Sequence, residues 1–356
     1  MNVLIVYGGK SCEHDISVIT ACLARGYFVN HNVIGCYLDR DNDAFFVSEI
    51  TPQQHTGKKF TSRITFVLGQ RCIEIRNKIG KKRIYIDCAV NCCHGVNGED
   101  GAVAGLLQLC GIPDAESGVL CCGSAMDKYL TKLTLRSLGI NVVDGVLLTD
   151  DNLDKVLQLG FPLIVKPSTL GSSIGIGVAH DVEQLEHCIS VARQFDNRVL
   201  VEKAIENFTE INCSAMTVKG QIVTSATDFP LSANEILTFA DKYLNGGKGM
   251  ADGKKHVTDV YDAEIKRIAE KIYREMGFSG VIRVDFIASA DKLYVNEINT
   301  VPGSLAYGMW KEVFSPAQFG DNLLQEGLAT YNGRQKLTYR FRSDVLTRCA
   351  GSKVKG

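Results

Sequence analysis

Several features that would place a protein in a broad class are missing from this sequence of 356 residues. Its 39 basic and 40 acidic side chains nearly cancel, so nothing in the composition indicates a charged surface for nucleic acid or an anionic membrane. No apolar run reaches the roughly 18 residues that span a bilayer, and no basic segment precedes the apolar start MNVLIVYGG. We therefore expect a cytoplasmic protein that acts on small molecules and has neither nucleic acid nor membrane as a partner.

The thirteen cysteines form no recognisable disulfide or metal pattern. Their number is odd, no C-x-x-C pair occurs, and most lie within apolar runs, as Cys88 and Cys110 do. A buried free thiol behaves as a small apolar side chain. Cys92, Cys93 and His94 are adjacent, but neighbouring residues of a strand point to opposite faces, which argues against a zinc site. We expect the cysteines to be reduced and mostly buried.

Short apolar runs alternate with helical patterns along most of the chain, and its length exceeds what one core usually accommodates. The first unit alternates strand and helix signals as a parallel α/β domain does. The later units add mostly antiparallel strands, and a glycine- and lysine-rich stretch at 232–256 predicts a lid loop. The predicted units are 1–125, 126–204 and 205–332, followed by a basic tail at 333–356.

The segment GVIRVDFIASADKLYVNEINTVPGS predicts two strands joined by a short turn. Alternation along a strand places Arg283 and Asp285 on one face, and likewise Val295, Glu297 and Asn299. If the hairpin turns about residue 291, Asp285 lies opposite Glu297. Two carboxylates and an amide are ligands suited to Mg²⁺. The alternative is an edge hairpin with solvated charges, but that does not explain why NEIN runs directly into the loop TVPGS, which could bring a backbone N–H near a reacting carbonyl.

The segment IVKPSTLGSSIGIGV places Lys166 at the end of an apolar strand, before a loop rich in glycine and serine. It matches neither G-x-x-x-x-G-K-[ST] nor G-x-G-x-x-G. A lysine at the end of an apolar run needs an anionic partner, and the N–H and hydroxyl groups that follow can donate to one. The segment therefore predicts a β-hairpin that clamps phosphate, with a plain flexible turn as the alternative.

Five motifs in sequence order resemble those of the ATP-grasp family and, within it, of the D-alanine–D-alanine ligases. They are GGKSCEHDIS, HGVNGEDG, AMDK, KPSTLGSSIG and RVDF…NEINTVPG, and the resemblance extends from residue 3 to about 330. It implies an α/β ATP-grasp fold, with an N-terminal Rossmann-like (pre-ATP-grasp) parallel α/β domain and two α+β subdomains that clamp ATP. A homodimer is also expected by this resemblance.

The resemblance implies an activity as well. Such ligases phosphorylate the carboxylate of one D-alanine with ATP, and the amine of a second then displaces phosphate, giving D-alanyl-D-alanine for peptidoglycan precursors. The expected substrates are thus D-alanine and ATP, with two Mg²⁺ ions for which Mn²⁺ is expected to substitute. The alternative within the family is a D-alanine–D-serine or other D-Ala–D-X ligase.

Each residue that matches a family motif acquires an implied role. The implied catalytic residues are Glu13, Ser172, Tyr243, Arg283 and Gly303. The implied ATP-binding residues are Lys128, Lys166, Ser173, Glu202, Lys203, Ala204, Ile205, Glu210 and Lys242. The implied substrate-binding residues are Glu13, His94, Ser304, Tyr307 and Gly308, and the implied metal ligands are Asp285, Glu297 and Asn299.

Some of these roles have a simpler alternative. Glu13 could be an acid at a helix N-terminus, and His94 could be a core histidine at a strand end. The sequence departs from many D-Ala ligases at the second-substrate site, where Gly308 and Met309 replace a serine–leucine pair. Ser304, Tyr307 and backbone N–H groups remain candidates for binding the carboxylate of the second substrate. Tyr243 favours an amine over a hydroxy acid as the acceptor, because depsipeptide-forming relatives lack a tyrosine there.

Two other classes of protein are weaker interpretations. A catalytically silent ATP-binding relative predicts the loss of a metal or lysine position, and all of these positions are present. A nicotinamide-dependent oxidoreductase predicts G-x-G-x-x-G followed about 20 residues later by an acid, and neither is found around VYGGKSCEHD.

Overall fold

The computed structural model describes residues 1–56, 59–78, 80–230, 261–289 and 292–351. The strands are β1 (Asn2–Gly8), β2 (Asn32–Leu38), β3 (Ala44–Val47), β4 (Arg63–Val67), β5 (Cys72–Arg76), β6 (Lys81–Tyr85), β7 (Cys88–Asn91), β8 (Gly145–Leu147), β9 (Leu163–Pro167), β10 (Gly177–Ala179), β11 (Val199–Lys203), β12 (Thr209–Val218), β13 (Gln221–Thr224), β14 (Val281–Ala288) and β15 (Leu293–Asn299).

The helices are α1 (His14–Ala24), α2 (Pro52–His55), α3 (Ala102–Cys110), α4 (Val119–Met126), α5 (Lys128–Ser137), α6 (Leu153–Leu157), α7 (Val182–Ala192), α8 (Asp262–Glu275), α9 (Pro316–Gln335) and α10 (Val345–Gly351). Two segments, Arg25–Phe28 and Gly303–Met309, are 3₁₀ helices. Among the residues described, no helix combines the length and apolar character that crossing a bilayer requires.

The first sheet has the strand order β6-β5-β4-β3-β2-β1-β7. The predicted parallel arrangement is found in β2-β1-β7, whereas β3 to β6 pair antiparallel. Connections such as 39–43 and 68–71 are too short for the crossover that parallel neighbours need, so these strands fold back on one another. The carboxyl ends of β1 and β7 therefore lie side by side, and the loops that follow them meet.

The other two sheets are four-stranded and antiparallel, with the orders β10-β9-β11-β8 and β13-β12-β14-β15. Helix α8 packs on the last sheet through buried residues at the predicted helical spacing, among them Ile265, Ile268 and Ile272. The sequence DAEIKRIAEKIYREMG predicts a helix with Asp262 as its N-cap, but this is wrong, because Tyr261 occupies that position. The Asp262 carboxylate instead accepts hydrogen bonds from Thr227 and Lys266 side chains.

One core cluster joins the first sheet, the last sheet and the segment after β15. Trp310 is fully buried in it beside Val281 and Leu305, and its indole N–H donates to Ser214 Oγ at 2.9 Å. Side chains of β1 and β7 belong to the same cluster. The 3₁₀ segment Gly303–Met309 is therefore held from two sides by packed apolar groups.

A β-bulge in β15 sets which of its side chains face the core. Phe286 of β14 pairs with Val295, and the residue before it, Asp285, pairs with Glu297. Asn296 is therefore the extra residue. Val295 and Ile298 consequently both enter the core, whereas Glu297 lies on the opposite face beside Asp285. The prediction that Asp285 lies opposite Glu297 is confirmed. The prediction that Val295 shares the face of Glu297 is wrong, because the bulge shifts the alternation between them.

The bulge gives a testable difference between two single-residue deletions. Deletion of Asn296 would leave regular alternation, with Val295 and Ile298 still in the core, so we expect the free energy of unfolding to fall by no more than about 2 kcal/mol. Deletion of Tyr294 would turn Leu293 or Val295 out of the core, and we expect a loss of about 3 kcal/mol or more. Urea unfolding of both variants measures this, and equal losses would contradict the role given to Asn296.

Candidate active site

The N-terminus of α1 is fixed against the carboxyl ends of β1 and β7. Ser17 Oγ accepts from the Gly8 N–H at 2.6 Å and donates to the Cys92 carbonyl at 2.8 Å. His14 uses both ring nitrogens, with Nδ1 2.7 Å from the Gly9 carbonyl and Nε2 3.0 Å from the Tyr37 hydroxyl. The motif SCEHDIS therefore forms a rigid first turn, and this turn positions Glu13.

Glu13 lies buried where the loops after β1, β7 and β9 meet. Ser172 Oγ donates a short hydrogen bond to Glu13 Oε1. Two glycines make room for the carboxylate, since a Cβ on Gly95 would lie 2.6 Å from Oε2 and a Cβ on Gly171 would lie 3.0 Å from either oxygen. The structure thus joins the predicted residues Glu13 and Ser172.

His94 is linked to Ser304 by hydrogen bonds through Thr20, a residue that was not predicted from the sequence. The Ser304 N–H donates to Thr20 Oγ1 at 3.2 Å, and Thr20 Oγ1 is 2.8 Å from His94 Nε2. A hydroxyl oxygen can accept from the Ser304 N–H and also exchange a hydrogen bond with Nε2 in either direction, so these two contacts fix the position of the His94 ring. Burial, together with the nearby Arg283 charge, lowers the pKa of His94 to about 4. His94 is therefore neutral at pH 7 and acts as a hydrogen-bonding group.

Glu99 braces the loop after β7 against the segment after β15. Its carboxylate accepts from the Gly95 N–H at 2.8 Å and the Val301 N–H at 3.4 Å. Burial, and next the negative charge of Glu13, raise the pKa of Glu99 to about 8. Glu99 is therefore largely protonated at pH 7.

The hairpin β14–β15 presents the predicted metal ligands on one face. Arg283 donates two hydrogen bonds to Asp285, at 2.6 and 2.7 Å, and Asn299 Nδ2 donates to Asp285 Oδ2 at 3.1 Å. Glu297 lies 3.6 Å from Lys128 Nζ. Cations of the protein thus neutralise both carboxylates in this state.

This donor set fits Mg²⁺ in chemistry. Two carboxylates and one amide supply hard oxygen ligands, and the bulge directs Glu297 to the same side as Asp285. Within the described ranges, no group of three or more His, Cys, Asp or Glu side chains could hold a metal ion. The third oxygen of this donor set would come from the amide of Asn299. A small cavity adjoins it, lined among others by Glu99, Lys128, Glu297 and Asn299.

Lys166 and Glu202 form a buried charge network with Lys132. The Glu202 carboxylate lies 2.6 Å from the ammonium of each lysine, and Lys166 also donates to Asn296 Oδ1 at 3.5 Å. Burial alone would raise the pKa of Glu202, but the two lysines outweigh it and the pKa is lowered. Lys132 was not predicted, because its position on α5 looks like any exposed lysine of an amphipathic helix.

The backbone of two implied ATP-binding residues, Lys203 and Ala204, is engaged in the fold. The Lys203 N–H donates to the Asp144 carbonyl and the Ala204 N–H to the Pro162 carbonyl, both at 3.0 Å. The Lys203 ammonium donates to the Gly160 and Phe161 carbonyls, at 2.9 and 2.8 Å. The ammonium and the amide of Lys203 are thus both bonded to carbonyl groups of the protein. Ile205 follows Ala204 in the chain.

The remaining predicted residues are placed as follows. Lys128 Nζ donates to the Leu170 carbonyl at 2.6 Å, which holds the loop of Ser172 and Ser173 against α5. Ser172 and Ser173 both have positive φ, and Glu210 is half-buried near the start of β12. Lys242 and Tyr243, with the predicted lid 232–256, lie outside the described residues.

The segment after Gly303 has an unusual backbone. Ser304, Leu305 and Ala306 all have φ between 52° and 55°, a left-handed conformation that L-residues adopt at a cost of about 1–2 kcal/mol each. Tyr27 OH donates to the Ser304 carbonyl at 3.1 Å, and Tyr307 donates its hydroxyl to the Phe314 carbonyl at 3.1 Å. Surrounding groups therefore impose this shape. Tyr307 is occupied in an aromatic cluster, and Gly308 is exposed.

The three sheets, the serine- and glycine-rich loop between β9 and β10 and the acidic hairpin together define a protein of the ATP-grasp class. Residues 2–115 match the family model described as D-ala D-ala ligase N-terminus, and residues 134–320 match D-ala D-ala ligase C-terminus. The chain belongs to the D-alanine–D-alanine ligase family, whose members are ATP-dependent.

Individual relatives agree with this assignment. The chain is 34% identical over 349 residues to a D-alanine–D-alanine ligase of Thermosipho melanesiensis, with 94% of this chain and 96% of the relative covered. A crystal structure of the Helicobacter pylori D-alanine–D-alanine ligase matches with a TM-score of 0.74 at 28% identity, covering 92% of this chain and 98% of that one. A D-Ala:D-Ser ligase from Enterococcus faecalis has a similar fold, with a TM-score of 0.77 at 22% identity over 92% of this chain and 99% of its own.

The raised pKa of Glu99 predicts a pH-dependent stability. The folded-state pKa lies above the ordinary value, so the contribution of Glu99 is fully present below about pH 4.5 and is lost as the pH rises towards 8. Relative to Glu99→Gln, which imitates the protonated acid, the wild-type free energy of unfolding should fall by about 1.4 kcal/mol per pH unit in that window. Urea unfolding of the two ligand-free proteins at several pH values measures the difference. Parallel curves would show that Glu99 does not titrate there.

Proposed function

We propose that the protein joins two D-alanines to D-alanyl-D-alanine with ATP, through a D-alanyl phosphate, for peptidoglycan precursor synthesis. The single observation that carries this proposal is the Glu13–Ser172 contact, which brings an acid of the first sheet's loop against the glycine-rich loop of the second. Membership of the D-alanine–D-alanine ligase family supports the same activity. We also propose a cytoplasmic homodimer, divided into units 1–125, 126–204, 205–332 and a basic tail 333–356.

The proposed chemistry assigns activation to the phosphate-binding groups. A carboxylate and an ammonium do not condense unaided, so the first substrate needs an acyl phosphate, and catalysis then consists of positioning and charge stabilisation. Lys128 and Lys166 would bind nucleotide phosphates. Asp285, Glu297 and Asn299 would hold two Mg²⁺ ions, or Mn²⁺ in their place, and the metal would offset the charge of the transferred phosphoryl group.

The substrate-facing groups would act on either side of the reacting carbon. Glu13 would bind the ammonium of the first D-alanine, and Ser172 would orient the Glu13 carboxylate. Arg283 and the Gly303 N–H would stabilise the tetrahedral oxyanion, a contribution of roughly 3 kcal/mol per well-placed donor. Neutral His94 would orient the second substrate by a hydrogen bond without adding a charge.

A second candidate remains for the amino acid that accepts the D-alanyl group. Gly308 and Met309 occupy the positions of the serine–leucine pair of many relatives, so Ser304 and backbone N–H groups are the proposed contacts for the second carboxylate. That departure keeps a D-alanine–D-serine or other D-Ala–D-X ligase as the alternative.

Product analysis tests the function directly. With ATP, Mg²⁺ and an equimolar mixture of D-amino acids, we expect D-alanyl-D-alanine as the main dipeptide by mass spectrometry, with one phosphate released for each peptide bond. A predominance of D-alanyl-D-serine would establish the alternative, and the absence of any dipeptide would disprove both. Glu297→Gln is the matched control, because it keeps the shape of a proposed metal ligand and removes its charge. We expect its turnover to fall at least about 100-fold.

Thr20 gives a prediction about the second substrate. Thr20→Val removes the hydroxyl that links Ser304 to His94, so the His94 ring loses the hydrogen bond that positions it. We expect KM for the second D-alanine to rise about tenfold while KM for ATP stays unchanged. Thr20→Ser keeps the hydroxyl and should restore the wild-type value. Equal effects of both substitutions, or a rise in KM for ATP, would point to general damage to α1.

A further inference from the structure

A second cavity, of about 280 Å³, lies between α3, the chain segment after it and the second half of α9. None of the residues that line it belongs to the candidate active site described above. The family assignment and the proposed reaction give it no task. Its lining includes two acids, Asp114 and Glu116, and one guanidinium, that of Arg334.

The segment that carries the acids is extended and held rigidly. The Ala89 N–H donates to the Pro113 carbonyl and the Ala115 N–H to the Ala89 carbonyl, at 2.8 and 2.9 Å. Alternation along this extended chain puts Asp114 and Glu116 on one side and Ala115 in the core. Gly327 of α9 packs directly on it, since a Cβ there would lie 2.7 Å from the Asp114 carbonyl. The cavity wall is therefore preformed.

Glu116 is the unusual group of this wall. It is 3% exposed, and neither carboxyl oxygen has a hydrogen-bond partner in the part of the chain that the structure describes. Burying such a group without a partner costs free energy, and buried polar groups are normally satisfied. Burial raises the pKa of Glu116 well above its usual range, and it raises the pKa of Asp114 to about 7. The raised pKa favours the neutral acid while no ligand is present, and a cation bound beside Glu116 would favour its carboxylate form.

Arg334 supplies the opposite charge at the mouth of the cavity. Its side chain is exposed, and it makes no ion pair with any other described residue. Its Nη2 lies 2.8 Å from the point that a Cβ on Gly118 would occupy, so a side chain at that position would displace the guanidinium. Two acids thus line the cavity, and a cation with free donors lies at its rim.

We propose that this cavity is a second ligand site, which takes a small zwitterion with its ammonium group between Glu116 and Asp114 and its carboxylate on Arg334. An ammonium has three N–H donors for the acid oxygens, and a guanidinium matches a carboxylate in shape and charge. A bare divalent cation fits less well, because Ca²⁺ takes six to eight oxygen ligands and two side chains supply too few. The site is independent of the proposed reaction.

Thermal unfolding of the full chain tests the proposal with three probes of increasing charge separation, namely glycine, β-alanine and γ-aminobutyrate. We expect at least one probe to raise the melting temperature of the wild type by a few degrees at saturation. The same probe should give no shift in Glu116→Gln, which keeps the shape but cannot form a carboxylate. Product formation by this variant should equal that of the wild type, since Glu116 does not line the active-site cavity.

Arg334→Gln gives a second, surface variant in case the buried substitution disturbs folding. It should raise the apparent dissociation constant of the active probe roughly tenfold, the effect of losing one charge-assisted hydrogen bond. No shift with any probe would overturn the proposal, as would a shift of equal size in Glu116→Gln. A shift with CaCl₂ but with none of the amino acids would also overturn it, by making the cavity a metal site.

Discussion

The candidate active site depends on one irregularity in a β-strand. The extra residue in β15 allows neighbouring side chains to serve opposite purposes, with Val295 and Ile298 packed in the core and Glu297 turned to the site. Asn296 itself then reaches Lys166 of the second sheet. A regular strand without Asn296 could keep both the core residues and Glu297 in place, but would leave no residue for the lysine. The bulge thus couples the charge network of the second sheet to the acidic face of the third.

The other residues of the site also come together from separate segments of the chain. Glu13, Ser172 and Glu99 come from three different loops, and each is held by a neighbour's backbone or by a glycine that leaves room for it. The charges are compensated inside the protein, by Arg283 on Asp285 and by two lysines on Glu202. Binding of an anionic nucleotide with its metal would therefore exchange partners among groups already neutralised, which limits the desolvation cost of assembling the site.

Much of this arrangement could be predicted from the sequence, because strong local patterns carry it. The facing of Asp285 and Glu297 followed from hairpin symmetry about residue 291, and the spacing of α8 followed from its apolar positions. Thr20 and Lys132 escaped prediction, because a polar residue on an amphipathic helix looks the same whether it faces solvent or a buried partner. The bulge at Asn296 was not predicted for a related reason. Alternation is a pattern within one strand, whereas a bulge is defined by how that strand pairs with its partner.

The left-handed backbone of Ser304 to Ala306 has a consequence for how substrate preference can change. None of these three residues is glycine, so their shape is imposed from outside, by Tyr27 on one carbonyl and Thr20 on one N–H. Both of these side chains belong to α1 or the turn that follows it, nearly three hundred residues away in sequence. Evolution can thus reshape the segment of the proposed second-substrate contacts by altering a helix that carries none of them, while the sequence of the segment itself stays constant.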